Sequence, residues 1–71
     1  MQQLNKGGKA LQRIAKRKRF GSLNKVAEYV GTSSGAISRH STGFQVPGYR
    51  MRELYRAKLG ISPKLFDIPA E

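Results

Sequence analysis

The chain has 71 residues, enough for one domain, and none of them is cysteine, so neither disulfides nor thiolate metal sites can stabilise it. Its longest uninterrupted apolar run is two residues, which excludes a transmembrane helix of about 20 apolar residues. Fourteen Lys and Arg oppose four Asp and Glu, which gives a net charge of +10 and an isoelectric point near 10.8 and predicts a polyanionic partner.

The N-terminal part of the chain predicts an arm and one basic helix. Residues 1–8 are polar and end in two glycines, which predicts a mobile arm. Residues 9–20 show helical periodicity, with Leu11 and Ile14 on one face, and Gly21 is expected to end the helix. The first 27 residues contain no acid and eight cations, which are Lys6, Lys9, Arg13, Lys16, Arg17, Lys18, Arg19 and Lys25.

A short helix is predicted next, over residues 23–30. Ser22 stands where an N-cap belongs, because its hydroxyl can accept a hydrogen bond from a backbone N–H of the first turn. Gly31 follows two turns later and can adopt the left-handed conformation that ends a helix. Periodic apolar residues between these two positions give the helix one buried face.

The most polar stretch of the chain, "GTSSGAISRHSTG", covers residues 31–43 and still predicts a helix. Ser33 is a second N-cap candidate, residues 34–41 form the helix, and Gly43 fits the left-handed position after its end. Ile37 is the one large apolar residue of this helix and is predicted to be buried. The outer face of this helix is kept small and hydrophilic, as expected of a helix that is half interface.

The remainder of the chain predicts two further helices. Residues 44–48 form a loop, residues 49–59 form a helix, and a serine followed by proline starts a last helix over residues 63–66. Residues 67–71 are predicted to be a tail. The chain is therefore expected to be all-α, with five short helices and no strand. Its folded domain would span residues 9–66.

Two short helices joined by a turn of three or four residues with a glycine have helix-turn-helix geometry. In this geometry Ala27 must be small where the helices cross, Gly31 must turn the chain, and Ile37 must fill the gap between them. Val26 and Val30 supply the rest of the local core. All five stand at the required offsets, so the second helix is predicted to enter a DNA major groove.

Residues 22–43, "SLNKVAEYVGTSSGAISRHSTG", resemble the helix-turn-helix of the phage lambda repressor and Cro superfamily. The resemblance extends over roughly residues 9–66, and it implies transcriptional repression by a dimer bound to an operator. The sequence departs from the family at three positions. Leu23 replaces a common Gln, His40 replaces an apolar residue, and Gly35 lies inside the reading helix.

The resemblance implies particular DNA contacts. Arg39 is expected to contact a guanine with two hydrogen bonds, as arginine commonly does in the major groove. The residues expected to read bases are Ser34, Gly35, Ser38 and Arg39. The residues expected to contact phosphates are Ser22, Asn24, Lys25, Thr32, Ser33, Thr42 and Arg50. The dimer interface is predicted to be apolar and to contain Tyr49, Tyr55, Phe66 and Ile68.

Other functional classes fit the sequence less well. A phage or plasmid accessory factor for activation or recombination would use the same motif, and a basic amphipathic domain that binds RNA or membrane is a further alternative. An enzyme is not expected, because the acids are scattered and the single histidine lacks a nucleophile. We expect no cofactor, metal or small-molecule ligand. A cytoplasmic location fits the lack of cysteine and of a signal-peptide apolar region.

Overall fold

The computed structural model describes residues 4–70, which fold into four α-helices and one short 3-10 helix. Within that range there is no β-strand, only a single antiparallel bridge between Asn5 and Pro69, so the all-α prediction is confirmed. None of the helices described is long and apolar enough to cross a membrane. The helices are α1 (Lys6–Ala15), α2 (Leu23–Val30), α3 (Ser34–Thr42), α4 (Tyr49–Leu59) and the 3-10 helix (Pro63–Asp67).

The first helix starts three residues earlier and ends five residues earlier than the sequence pattern predicts. Asn5 is its N-cap, with a side-chain oxygen that accepts a hydrogen bond from the Gly8 backbone N–H at 2.6 Å. The helix ends at Ala15, and the four residues that follow, 16–19, are exposed cations. In a longer helix, like charges four residues apart, such as Arg13 and Arg17, would face each other, which is unfavourable.

Two glycines in the first turn of α1 allow it to pack closely against the rest of the fold. Gly7 and Gly8 are both buried. A Cβ atom on Gly7 would overlap the ring of Phe66, and one on Gly8 would lie 2.8 Å from the Ser41 carbonyl oxygen and 2.9 Å from that of His40. Ordinary side chains would therefore push α1 away from α3 and from the 3-10 helix.

The two ends of the described chain pair with each other, which corrects the prediction of a free arm and tail. The backbone N–H of Lys6 donates to the Ile68 carbonyl at 2.8 Å, and that of Ala70 donates to the Leu4 carbonyl at 3.0 Å. Asp67 forms a bidentate ion pair with Arg52 of α4, and both N–O distances are 2.8 Å. Residues 4–8 and 67–70 thus belong to the folded domain, while residues 1–3 and 71 lie outside the described range.

The caps around α2 and α3 form where the sequence places them. The Ser22 hydroxyl accepts from the Lys25 N–H at 3.3 Å, and the Ser33 hydroxyl accepts from the Ala36 N–H at 3.1 Å. Gly31 ends α2 with φ 94°, a left-handed conformation that favours glycine. The α2–α3 connection is therefore three residues long and rigidly defined at both of its ends.

The core lies between all five elements. Ile37 of α3 is completely buried, as predicted, and so are Leu11 of α1 and Val26 of α2. Tyr55 and Phe66 supply the largest buried side chains, and their ring centroids lie 5.4 Å apart. Within residues 4–70, the core contains the buried residues Leu11, Ile14, Ala15, Val26, Ala27, Val30, Ile37, Tyr55, Ile61 and Phe66, and Pro47 of the loop before α4 is also fully buried.

A buried polar contact links α3 to α4. The Nδ1 atom of His40 lies 2.7 Å from the hydroxyl of Tyr55, so a neutral imidazole can accept a hydrogen bond from that hydroxyl. Burial, and secondarily the positive charge of Arg39, lower the pKa of His40 below 6.5. Burial raises the pKa of Tyr55 to about 12, so its hydroxyl stays protonated at physiological pH.

This pair predicts a loss of stability in mild acid. Because the folded state lowers the pKa of His40, the unfolded state takes up a proton first as the pH falls through about 6.5. The His40 contribution is therefore fully present above that pH and declines below it until the folded-state pKa is reached. Urea denaturation at pH 7.5 and pH 5.5 measures the loss, which should largely disappear in a His40→Gln variant; an unchanged loss in that variant would contradict the assignment.

Candidate nucleic-acid interface

The outer face of α3 carries small polar side chains and one arginine. Ile37, His40 and Ser41 face the core, so the opposite side of the helix is turned outwards. All four residues predicted to read bases are exposed, and they follow one another along this face together with Thr42. The exposed face therefore consists of Ser34, Gly35, Ser38, Arg39 and Thr42.

The arginine on this face is held in place by two neighbours. Its Nε atom donates to the side-chain oxygen of Gln45 at 3.0 Å, and the Gln45 backbone N–H donates to the Arg39 carbonyl at 3.3 Å. On its other side, a Cβ added to Gly35 would lie 3.5 Å from Nη1 of Arg39, so the guanidinium lies over the glycine. The hydrogen bond to Gln45 uses Nε and leaves the two Nη groups available as donors.

Gln45 was not among the predicted site residues. It belongs to the loop after α3, and it meets Arg39 because the chain reverses at Gly43, whose φ is 82°. Gly43 predicted that the chain reverses after α3. A loop of six residues has no periodicity, however, that would predict which of its side chains faces the helix. The contact is a consequence of tertiary geometry.

The predicted phosphate-contacting residues fall into two groups. Most of them lie at the N-terminal ends of α2 and α3, where unpaired backbone N–H groups favour anions. Ser22, Asn24, Lys25 and Ser33 are exposed there, while Thr32 is half-buried. The two others lie elsewhere: Thr42 ends α3 and Arg50 lies exposed in the first turn of α4.

Some of these side chains already have partners within the domain. The Thr42 hydroxyl donates to backbone carbonyls of its own helix, at 3.1 Å from Ser38 and 3.3 Å from Arg39. Lys25 lies 4.0 Å from the Glu28 carboxylate, with both side chains mostly exposed. An exposed pair of this kind contributes little to stability, so Lys25 can exchange Glu28 for a phosphate at small cost.

Two residues predicted to form a dimer interface are part of the core instead. Tyr55 is 0% exposed and Phe66 is 1% exposed, because a domain of this size needs its large aromatic side chains to fill its interior. An acidic substitution of Phe66 would therefore report on folding and not on association. Tyr49 is 80% exposed and Ile68 is 38% exposed, and the loop before α4 adds exposed Phe44 and Val46, which were not among the predicted interface residues.

A single methyl group on the outer face of α3 provides a test of its role. Gly35→Ala is expected to raise the free energy of unfolding by about 0.5–1 kcal/mol, because alanine favours helix and the added Cβ makes only ordinary contacts. The same methyl group would obstruct close approach to base edges, so affinity for a specific duplex should fall. Urea denaturation and duplex titration separate the two effects; unchanged duplex affinity would mean that this face does not approach bases.

Comparison with protein-family models, curated proteins and solved structures found no match for the chain.

Proposed function

We propose that the chain is a sequence-specific double-stranded-DNA-binding transcriptional regulator of the phage Cro or repressor type. In this proposal α2 and α3 form a helix-turn-helix, and α3 is the reading helix that enters the major groove. The observation that carries the proposal is the outer face of α3, where four small residues surround one positioned arginine. None of the five residues of that face is a large apolar residue, and the helix is anchored from behind by fully buried Ile37.

The chemistry of this face fits base edges in the major groove. A guanidinium donates two parallel hydrogen bonds to guanine O6 and N7, while hydroxyls can donate to or accept from any base. Arg39 has both Nη groups free of Gln45, and Ser34 and Ser38 lie on the same side of the helix. The N-terminal ends of α2 and α3 would contact the phosphates on the flanks of the groove.

The membrane alternative is weakened by the packing of α1. A helix that lies on a bilayer inserts its apolar face between the lipids. In this domain Leu11 is 0% exposed and Ile14 is 6% exposed, both within the core. α1 therefore offers a membrane only its charged side.

We further propose that two copies bind one operator. A single reading helix contacts only a few base pairs, and two-fold pairing places two such helices about 34 Å apart on one face of the duplex. The exposed apolar residues available for the contact are Phe44, Val46, Tyr49 and Ile68. An accessory factor for activation or recombination would use the same outer face of α3. The arrangement of the half-sites in the DNA therefore distinguishes such a factor from a repressor.

Selection of binding sites from random duplexes tests the proposal. The expected result is a conserved site with inverted half-sites about 10–11 base pairs apart, centre to centre. Direct repeats or one unrepeated half-site would favour the accessory role. Recovery of no preferred sequence, with equal affinity for all duplexes, would contradict sequence-specific regulation.

A further inference from the structure

A row of four cations runs along the exposed side of α1, and we call it the α1 stripe. Lys6, Lys9 and Arg13 of α1 and its C-cap Lys16 stand at positions i, i+3, i+7 and i+10, which places them on one side of the helix. All four are exposed. Over ten residues an α-helix rises about 15 Å, so the stripe presents four positive charges along that length.

The α1 stripe lies next to the last turn of α3. Gln12 borders the stripe, and its side-chain amide donates to the Ser41 carbonyl at 2.7 Å. Gln12 also lines one shallow surface groove together with Lys9, Arg13 and Lys16. The close approach of Gly8 to the carbonyls of His40 and Ser41 fixes the same crossing of the two helices. The stripe therefore lies beside the C-terminal end of α3, on the helix that packs against the side of α3 opposite its outer face.

The charge on α1 differs from that on α4, although both helices are rich in cations. In the described part of the chain, Arg52 and Arg56 of α4 form ion pairs with Asp67 and Glu53. The remaining ion pair of that part joins Lys25 to Glu28 on α2. No acid of residues 4–70 pairs with the α1 stripe, so its field is of one sign.

We infer that the α1 stripe binds the phosphate backbone of the duplex that α3 reads. This inference rests on the proposed binding to DNA, and it adds a contact surface outside the helix-turn-helix. Phosphates on one strand of B-DNA follow at about 3.4 Å along the helix axis, so a row of cations about 15 Å long spans several of them. Lysine and arginine at such positions add affinity without reading sequence.

The salt dependence of binding to a random-sequence duplex tests this inference, with a matched control. The test variant is Lys9→Gln with Arg13→Gln on α1, and the control is Lys58→Gln with Arg56→Gln at the end of α4. Both remove one exposed lysine and one exposed arginine, and they change the net charge equally. Loss of two phosphate contacts should reduce the slope of log K against log salt by about 1.8 in the α1 variant, and the control should change it little.

Three results would overturn the inference. One is an equal change of slope in both variants, which would show that only net charge matters. Another is no change in either variant, with both folded by circular dichroism. The third is a loss of binding to phosphatidylglycerol vesicles by the α1 variant while its duplex slope stays at the wild-type value, which would assign the stripe to a lipid surface.

Failure of the inference and failure of the proposed function give different results. The experiment uses random sequence, so a protein that binds all duplexes alike would still show the α1 effect while losing its claim to sequence specificity. Conversely, equal slopes in the two variants would remove the stripe from the interface without affecting a selected operator site.

Discussion

Ile37→Ala is expected to lower the free energy of unfolding by about 2–5 kcal/mol, the range for truncation of a fully buried isoleucine. The side chain is 0% exposed and joins α3 to the core between α2 and α1. Removing three carbon atoms there leaves a cavity. Because both ends of α3 are fixed by their caps, the helix cannot readily move to fill that cavity. A domain of this size has only a few kcal/mol of stability, so the variant should be largely unfolded near physiological temperature.

A graded series makes this result specific. Ile37→Val removes one methylene group and should cost about 0.5–1.5 kcal/mol, whereas Ser38→Ala on the exposed side should change stability by less than about 0.5 kcal/mol. Thermal and urea denaturation measure all three. A melt of Ile37→Ala that matches wild type would mean that α3 is not anchored through this residue, and the orientation assigned to its outer face would then be wrong.

Arg39→Ala is expected to weaken binding to the selected duplex by about 1–3 kcal/mol and to leave random-sequence binding nearly unchanged. The guanidinium supplies the proposed bidentate hydrogen bonds to guanine. Because Arg39 and Gln45 are both exposed, truncation leaves no buried polar group without a partner, and the fold should be unaffected. Titration of matched specific and random duplexes at one salt concentration measures the difference.

Two control variants distinguish base reading from charge. Arg39→Lys keeps the charge but loses the planar pair of donors, so most of the discrimination between duplexes should also be lost. Lys25→Ala removes a proposed phosphate contact and should weaken both duplexes about equally. If Arg39→Ala also weakened both duplexes equally, Arg39 would be a backbone contact, and base reading would have to come from other residues of α3.

The position of Arg39 illustrates what a pattern predicts and what it misses. The periodicity of residues 34–41 places Arg39 opposite Ile37, and the structure agrees. Its hydrogen bond to Gln45 depends on how the following loop folds back, which no local pattern encodes. The α1 stripe could be predicted from the sequence only in part. Its spacing was visible in the sequence, but a helix predicted to begin at residue 9 left Lys6 outside it.

The sequence by itself determined the features that depend on neighbours three or four residues apart. Ser22 and Ser33 cap α2 and α3, and Gly31 and Gly43 end them, because each of these contacts is made within a single turn of chain. Ile37 is buried for a related reason, since it is the only large apolar residue of its helix. The same local signals predict that α2 and α4 are helices and give the residues at which each begins and ends.

Only the tertiary structure decided where the domain ends and which aromatic residues are inside. Gly7 and Gly8 predict a mobile arm by their own conformational freedom, yet both lie in a helix that packs against Phe66 and the last turn of α3, where there is no room for a Cβ. Tyr55 is buried because His40 and Phe66 surround it from distant parts of the chain. These contacts join residues far apart in sequence, and their free energy outweighs local preference without leaving a local signal.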